Sequence, residues 1–94
     1  MYPGQSLNYS LSSESPDQTV VTPGSGTITD ANGSTWSINS AGQIVKDGTV
    51  DPTIANVVEL AYVNHTIWQE NSADLWWSWN GTSWQPTNGR PSIR

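Results

Sequence analysis

The chain has no cysteine, no phenylalanine, one methionine and one histidine, and among its 94 residues only Lys46, Arg90 and Arg94 are cationic. Each shortage excludes something. Without cysteine there is no disulfide, no thiolate nucleophile and no zinc centre of the Cys type, so packing and hydrogen bonds must hold the fold, and the compartment stays open. Eight carboxylates against three cations leave a formal net charge of −5. Binding a polyphosphate backbone depends on Lys and Arg displacing condensed counterions, so neither nucleic acid nor an anionic membrane surface is an expected partner. No apolar run approaches the roughly 18 residues of a membrane span, and no basic-then-apolar leader follows Met1; the chain as written is expected to be soluble. His65 stands at a predicted turn tip with no second His or Cys to join it, so no metal or cofactor is expected.

Aliphatic residues are scarce too. Seventeen Val, Ile and Leu side chains fall below the roughly 20% of a chain at which low hydrophobicity with net charge begins to read as disorder. Six Trp and three Tyr argue the other way. A buried aromatic ring removes about 150–250 Å² from water, so a few indoles can replace many aliphatic residues. A single compact domain with an aromatic-heavy interior or surface is expected.

Residues 1–25 are rich in Ser and Pro and show no sustained period of 2 or 3.6, which predicts a linker or loosely docked arm. Leu7, Tyr9 and Leu11, which alternate, and Val20-Val21 are the exceptions that could form strand. From residue 26 to 86 the texture changes to short alternating runs broken by turn residues every few positions, the mark of an all-β domain. The expected fold is a compact antiparallel β-sandwich or small barrel of about seven or eight short strands in meander order. Asp51 to Ala55, with Pro52 near its start, is the one place for a helical turn. Residues 87–94 read as a C-terminal linker. A module between two linkers is usually one bead of a larger secreted protein.

The turn signals are specific. Asp30-Ala31-Asn32-Gly33, Ser40-Ala41-Gly42, Lys46-Asp47-Gly48, Asn64-His65 and Asn80-Gly81 all lie between strand-like runs, and Asn and Gly both tolerate positive φ. Asp30 to Ser34 places oxygen ligands at alternate positions as a calcium loop does, but its glycine and closing Glu are out of place. Four Asn-x-Ser/Thr acceptor patterns begin at Asn8, Asn32, Asn64 and Asn80, and the last three are accounted for as turns.

Five tryptophans lie between Trp68 and Trp84. With Asn64-His65 as a two-residue turn, Val58, Leu60, Tyr62 and Ile67 share a core face, and Glu59, Ala61, Val63, Trp68 and Glu70 point outward. With Asn80-Gly81 as a second such turn, Trp77 opposes Trp84, and Leu75, Trp77, Trp79 and Trp84 share one face while Trp76 takes the other. The loop from Asn71 to Asp74 sets how the two hairpins combine. An even loop lines up Trp68, Trp77, Trp79 and Trp84 as an outward aromatic platform. An odd loop or bulge flips the last hairpin, burying Trp77, Trp79 and Trp84 and leaving Trp68 and Trp76 outside.

Outward indoles suit sugar binding. A pyranose offers an apolar face of C–H groups to an indole, and its equatorial hydroxyls need amides or carboxylates at the rim, here Glu59, Gln69, Glu70, Asn71, Asp74 and Gln85. The competing reading is that the indoles are packing. Glu59 and Glu70 face one another across the hairpin as a glycosidase pair would, but a unit of this size has little room for a cleft, so no catalytic residues and no enzyme activity are expected.

The segments TITDANGSTWSINSAGQIVKDG, LAYVNHTIWQE and DLWWSWNGTSW resemble the small all-β carbohydrate-binding modules of secreted bacterial polysaccharide-active proteins. The resemblance covers residues 26–86 and implies a non-catalytic, extracellular domain, fused to a catalytic or other extracellular domain, that holds its parent on a cell-wall polysaccharide. Hairpins ending in Asn-Gly-Thr-Ser-Trp also occur in tail-fibre and adhesin domains, where the aromatic face would dock a protein instead.

Overall fold

In a computed structural model describing residues 14–91, the alternating runs form nine strands and no helix. They are β1 (Thr19–Val21), β2 (Ile28–Thr29), β3 (Thr35–Ile38), β4 (Ile44–Lys46), β5 (Thr49–Val50), β6 (Val57–Val63), β7 (Thr66–Asn71), β8 (Trp76–Trp79) and β9 (Trp84–Pro86). All pairings are antiparallel, in a five-stranded sheet of order β1-β6-β7-β8-β9 and a four-stranded sheet of order β2-β3-β4-β5. Together they make a small two-sheet β-sandwich. Each sheet is a meander except at β1, which pairs with β6 instead of its sequence neighbour.

That exception shortens the N-terminal arm. The unit starts by Glu14, well before residue 26, because this stretch carries hydrogen-bonding groups that both sheets can use. Gln18 N–H donates to Tyr62 O at 2.7 Å, Ser15 N–H to Thr29 O at 2.8 Å, and Val21 enters the core at 6% exposure. The alternating Leu7, Tyr9 and Leu11 and the acceptor pattern at Asn8 lie outside the described residues. At the other end Thr87 is tied down by two bonds to Trp76 O, both 3.0 Å, and Pro91 is buried, so the segment placed in a C-terminal linker begins as part of the globule.

Four hairpins reuse one device. The side-chain oxygen of an Asx residue at a strand end accepts from backbone N–H groups further along the loop: Asp30 from Asn32 and Ser34, Asn39 from Ala41 and Gln43, Asn71 from Ala73 and Leu75, and Asn80 from Thr82 and Ser83, all at 2.8–3.1 Å. In the first three the fourth loop residue is left-handed, Gly33 at φ 85°, Gly42 at 79° and Asp74 at 63°. Asp is among the few non-Gly residues that tolerate this conformation. Asp47-Gly48 and Asn64-His65 instead make two-residue turns with positive φ at both positions, as expected for hairpins. The stretch from Asp51 to Ala55 forms a single turn in which Asp51 Oδ1 caps Thr53, and no helix follows.

Between the sheets lie Val21, Ile28, Trp36, Ile38, Ile44, Val57, Leu60, Tyr62 and Ile67, with Trp79 and Trp84 packed against them. Trp36, at 1% exposure, is the largest buried side chain. Its indole meets Trp79 at 5.3 Å and Trp84 at 5.7 Å between centroids, and those two meet at 5.2 Å, all edge to face. Such contacts contribute about 0.5–1.5 kcal/mol per pair beyond area burial, which helps a core without phenylalanine. Trp36 Nε1–H donates to Asp30 Oδ2 at 3.0 Å, so the indole is anchored as well as packed. The Asp30 loop thus spends its carboxylate on its own backbone and on the core.

One core assignment moves by a residue. A bulge between Val57 and Glu59 puts Val57 inside at 1% exposure and leaves Val58 at 39%. An extra residue in one strand inverts the alternation on its far side.

Candidate functional site

Register decides where the tryptophans go. Trp68 pairs with Ser78, Gln69 with Trp77 and Glu70 with Trp76, so the β7–β8 loop holds five residues, Asn71 to Leu75. The odd loop is therefore the one formed, and the outward row of Trp68, Trp77, Trp79 and Trp84 does not exist. The Asn71 carboxamide, by bonding Ala73 and Leu75 N–H, is what holds the loop at this length. The β8–β9 turn also differs: Trp79 pairs with Trp84 and Trp77 with Pro86, across the four residues Asn80 to Ser83. Asn80 opens that turn by accepting from Thr82 and Ser83. A shift of two residues preserves the faces, so Trp77, Trp79 and Trp84 still lie together, now on the inner side.

The outer side of the five-stranded sheet is a second, smaller core. Ala61, Val63 and Trp76 are buried there, with Trp68 packed against them. Trp76 retains 7% of its surface, although its parity is outward. Trp68 is half-buried, and its Nε1 is enclosed with no hydrogen-bond partner. The Thr87 bonds to Trp76 O, the burial of Pro91 and the proximity of Arg90 to Glu70 show the tail running over this side.

Glu59 and Glu70 are paired across β6 and β7 on that same side. Burial holds the Glu70 carboxyl above its ordinary value, reinforced by hydrogen bonding with Asp74 and by the charges of Glu59 and Asp74, while Arg90 opposes the shift. The pair lies on the opposite face of the sheet from Trp77 and Trp84.

On the inner face Trp77 and Trp84 are partly exposed. They flank a groove of about 240 Å³ whose other walls are Thr53, Ile54, Ala55, Gln69 and Asn71. Gln69 lies inward in register, opposite Leu60, and only 5% of it is exposed. Its amide has no hydrogen-bond partner among the described residues and opens on the groove. The amide atoms keep access to the groove and are free to bond a group that enters it. No charged side chain lines this groove.

A larger depression of about 410 Å³ lies among the hairpin tips, lined by Asp30, Asn32, Lys46, His65, Trp79 and Asn80 among others. Its charged groups are engaged: Asp30 by its loop and Trp36, Lys46 by Asp47 at 3.5 Å, His65 Nδ1 by Glu14 at 2.6 Å. Glu14 also accepts from the Tyr62 hydroxyl, and these two hydrogen bonds hold its carboxyl below the usual range. Burial, with Glu14 beside it, pushes the Tyr62 phenol up. These contacts fasten the arm to the β6–β7 hairpin.

Of the anticipated site residues, Trp77, Trp84 and Asn71 converge on the groove, Trp79 joins the core, and Trp68, Trp76, Glu59 and Glu70 occupy the opposite side. Thr53, Ile54 and Ala55 carried no sequence signal, since only the packing of their turn against β7 and β8 brings them there. Gln69 was legible as a rim amide, and its inward parity beside Ile67 was the clue to its burial. The class defined by fold and site is a two-sheet β-sandwich with an uncharged aromatic groove at one margin. No protein-family model, curated protein or solved structure matches the chain.

Proposed function

We propose that the chain is a non-catalytic glycan-binding module, extracellular, which holds a larger protein on a polysaccharide through the groove of Trp77 and Trp84. The observation that carries this reading is an uncharged groove walled by two partly exposed indoles, Trp77 and Trp84, onto which the Gln69 amide opens with no bond to a described residue. An apolar ring wall with one or two fixed polar groups is the usual construction of a small-ligand site. It suits a sugar ring, which offers C–H groups to an indole and hydroxyls to an amide. Edge-to-face contacts with Trp36 and Trp79 hold Trp84 in place at the groove.

Affinity electrophoresis of the full chain against a panel of cell-wall and storage polysaccharides tests the reading. At least one neutral polysaccharide should retard the protein and shift its tryptophan fluorescence. By analogy with base–aromatic stacking, Trp77→Ala should weaken that binding by about 1–3 kcal/mol with the fold intact. A panel with no retardation and no fluorescence change overturns it, and leaves an aromatic margin that docks protein.

A further inference from the structure

The shape of the groove narrows what it can take. Flat crystalline glycan surfaces call for several rings in a row, yet only two indoles, Trp77 and Trp84, line this groove. Trp79 and Trp84 are inclined at 62°, and Trp36 meets them at 67° and 78°. The turn of Thr53 and Ile54 supplies the other wall of the groove. The volume, about 240 Å³, lies below the roughly 300 Å³ at which pockets begin to enclose drug-sized ligands, and leaves room for about one six-membered ring.

The lining chemistry narrows it further. With no cation in the walls and a net charge of −5, a carboxylate or sulfate on the ligand would be repelled and unpaired. The free Gln69 amide presents an N–H donor and a carbonyl acceptor side by side. Two adjacent ring hydroxyls, one donating and one accepting, satisfy both. Asn71 contributes less, because its carbonyl oxygen is committed to Ala73 and Leu75.

We propose that this groove is a one-ring subsite for a single uncharged pyranose bearing a vicinal pair of hydroxyls, a chain end or a side branch, with Gln69 as the specificity-determining residue. The proposal rests on the glycan reading above. Its distinguishing consequence is that affinity is set by one residue of the chain and gains little from length.

The test is calorimetric titration of the full chain with uncharged glucose, mannose and galactose series running from monosaccharide to hexasaccharide, with a polyuronate alongside. In the series that binds, Kd should level off by the disaccharide, the monosaccharide should displace the polymer, and the polyuronate should give no heat. Gln69→Leu should weaken binding about tenfold without lowering the melting temperature, since it removes the ligand's partner and no hydrogen bond within the described residues. An affinity that climbs through the hexasaccharide, with no displacement by the monosaccharide, overturns the one-ring inference while the glycan reading survives. Gln69→Leu that lowers the melting temperature and leaves binding unchanged overturns the role of Gln69. Failure of every series together with the polysaccharide panel overturns both.

Discussion

The two faces of the five-stranded sheet use the same residue type for different ends. On the inner face, Trp79 and Trp84 close around Trp36 from the other sheet, and Trp77 is left at the margin beside a groove. On the outer face Trp76 and Trp68 pack with Ala61 and Val63, and the C-terminal segment runs over them. Five tryptophans that look like one cluster in the sequence are thus divided by parity, and each group finds its own cover. On the inner face Trp77 and Trp84 line a groove.

The largest effect that could break this comparison is at Trp36. Trp36→Ala should cost about 3–5 kcal/mol, the range for truncating a fully buried aromatic, and should leave little folded protein in a denaturant titration. A loss under about 1 kcal/mol would mean that the sheets do not depend on the indole trio. Next comes Trp76. If the outer face is a true second core, Trp76→Ala costs about 3 kcal/mol by the same measurement while polysaccharide retardation of the folded fraction stays at its wild-type value. Unchanged stability would return Trp76 to the solvent-facing role that its parity suggests.

The smallest effect is electrostatic and belongs to the outer face alone. The folded state raises the Glu70 carboxyl through burial, Asp74 and Glu59, so its charged form detracts from stability at neutral pH. That penalty vanishes as pH falls below the ordinary carboxylate value. Glu70→Gln should therefore raise the melting temperature modestly at pH 7 and leave it unchanged below about pH 4. Glu14 carries the opposite sign: its lowered carboxyl supports the fold above the ordinary value, and that support is lost as acid protonates it. A Glu70→Gln protein that gains nothing at pH 7 would show that Arg90 already offsets its neighbours.

Several features were legible from residues alone because they rest on local chemistry. Asn64-His65 forms its two-residue turn, and Glu59 pairs with Glu70 across it, because positive φ at both turn positions and a period of two leave no freedom between. Asn80-Gly81 misled because the Asn80 side chain can cap a wider turn, and that turn lets Trp79 and Trp84 meet edge to face against Trp36. Val58 was read as core because one bulge residue inverts parity and nothing in Val57-Val58 says which of the two is extra. Val20-Val21 was legible as a possible strand, and β1 forms there, whereas the membership of residues 14–18 was hidden because it rests on backbone and single polar side chains meeting Tyr62, Thr29 and His65 far along the chain.

What the sequence by itself determined is the all-β class, the positions of most hairpins and the set of residues that alternate together, since these follow from backbone preferences and a two-residue period. Whether Trp68 or Trp77 meets the outside was decided by tertiary structure alone. A loop one residue longer turns a whole strand over, and the free energy that selects between the two loops comes from burying three indoles between sheets that are distant in the chain.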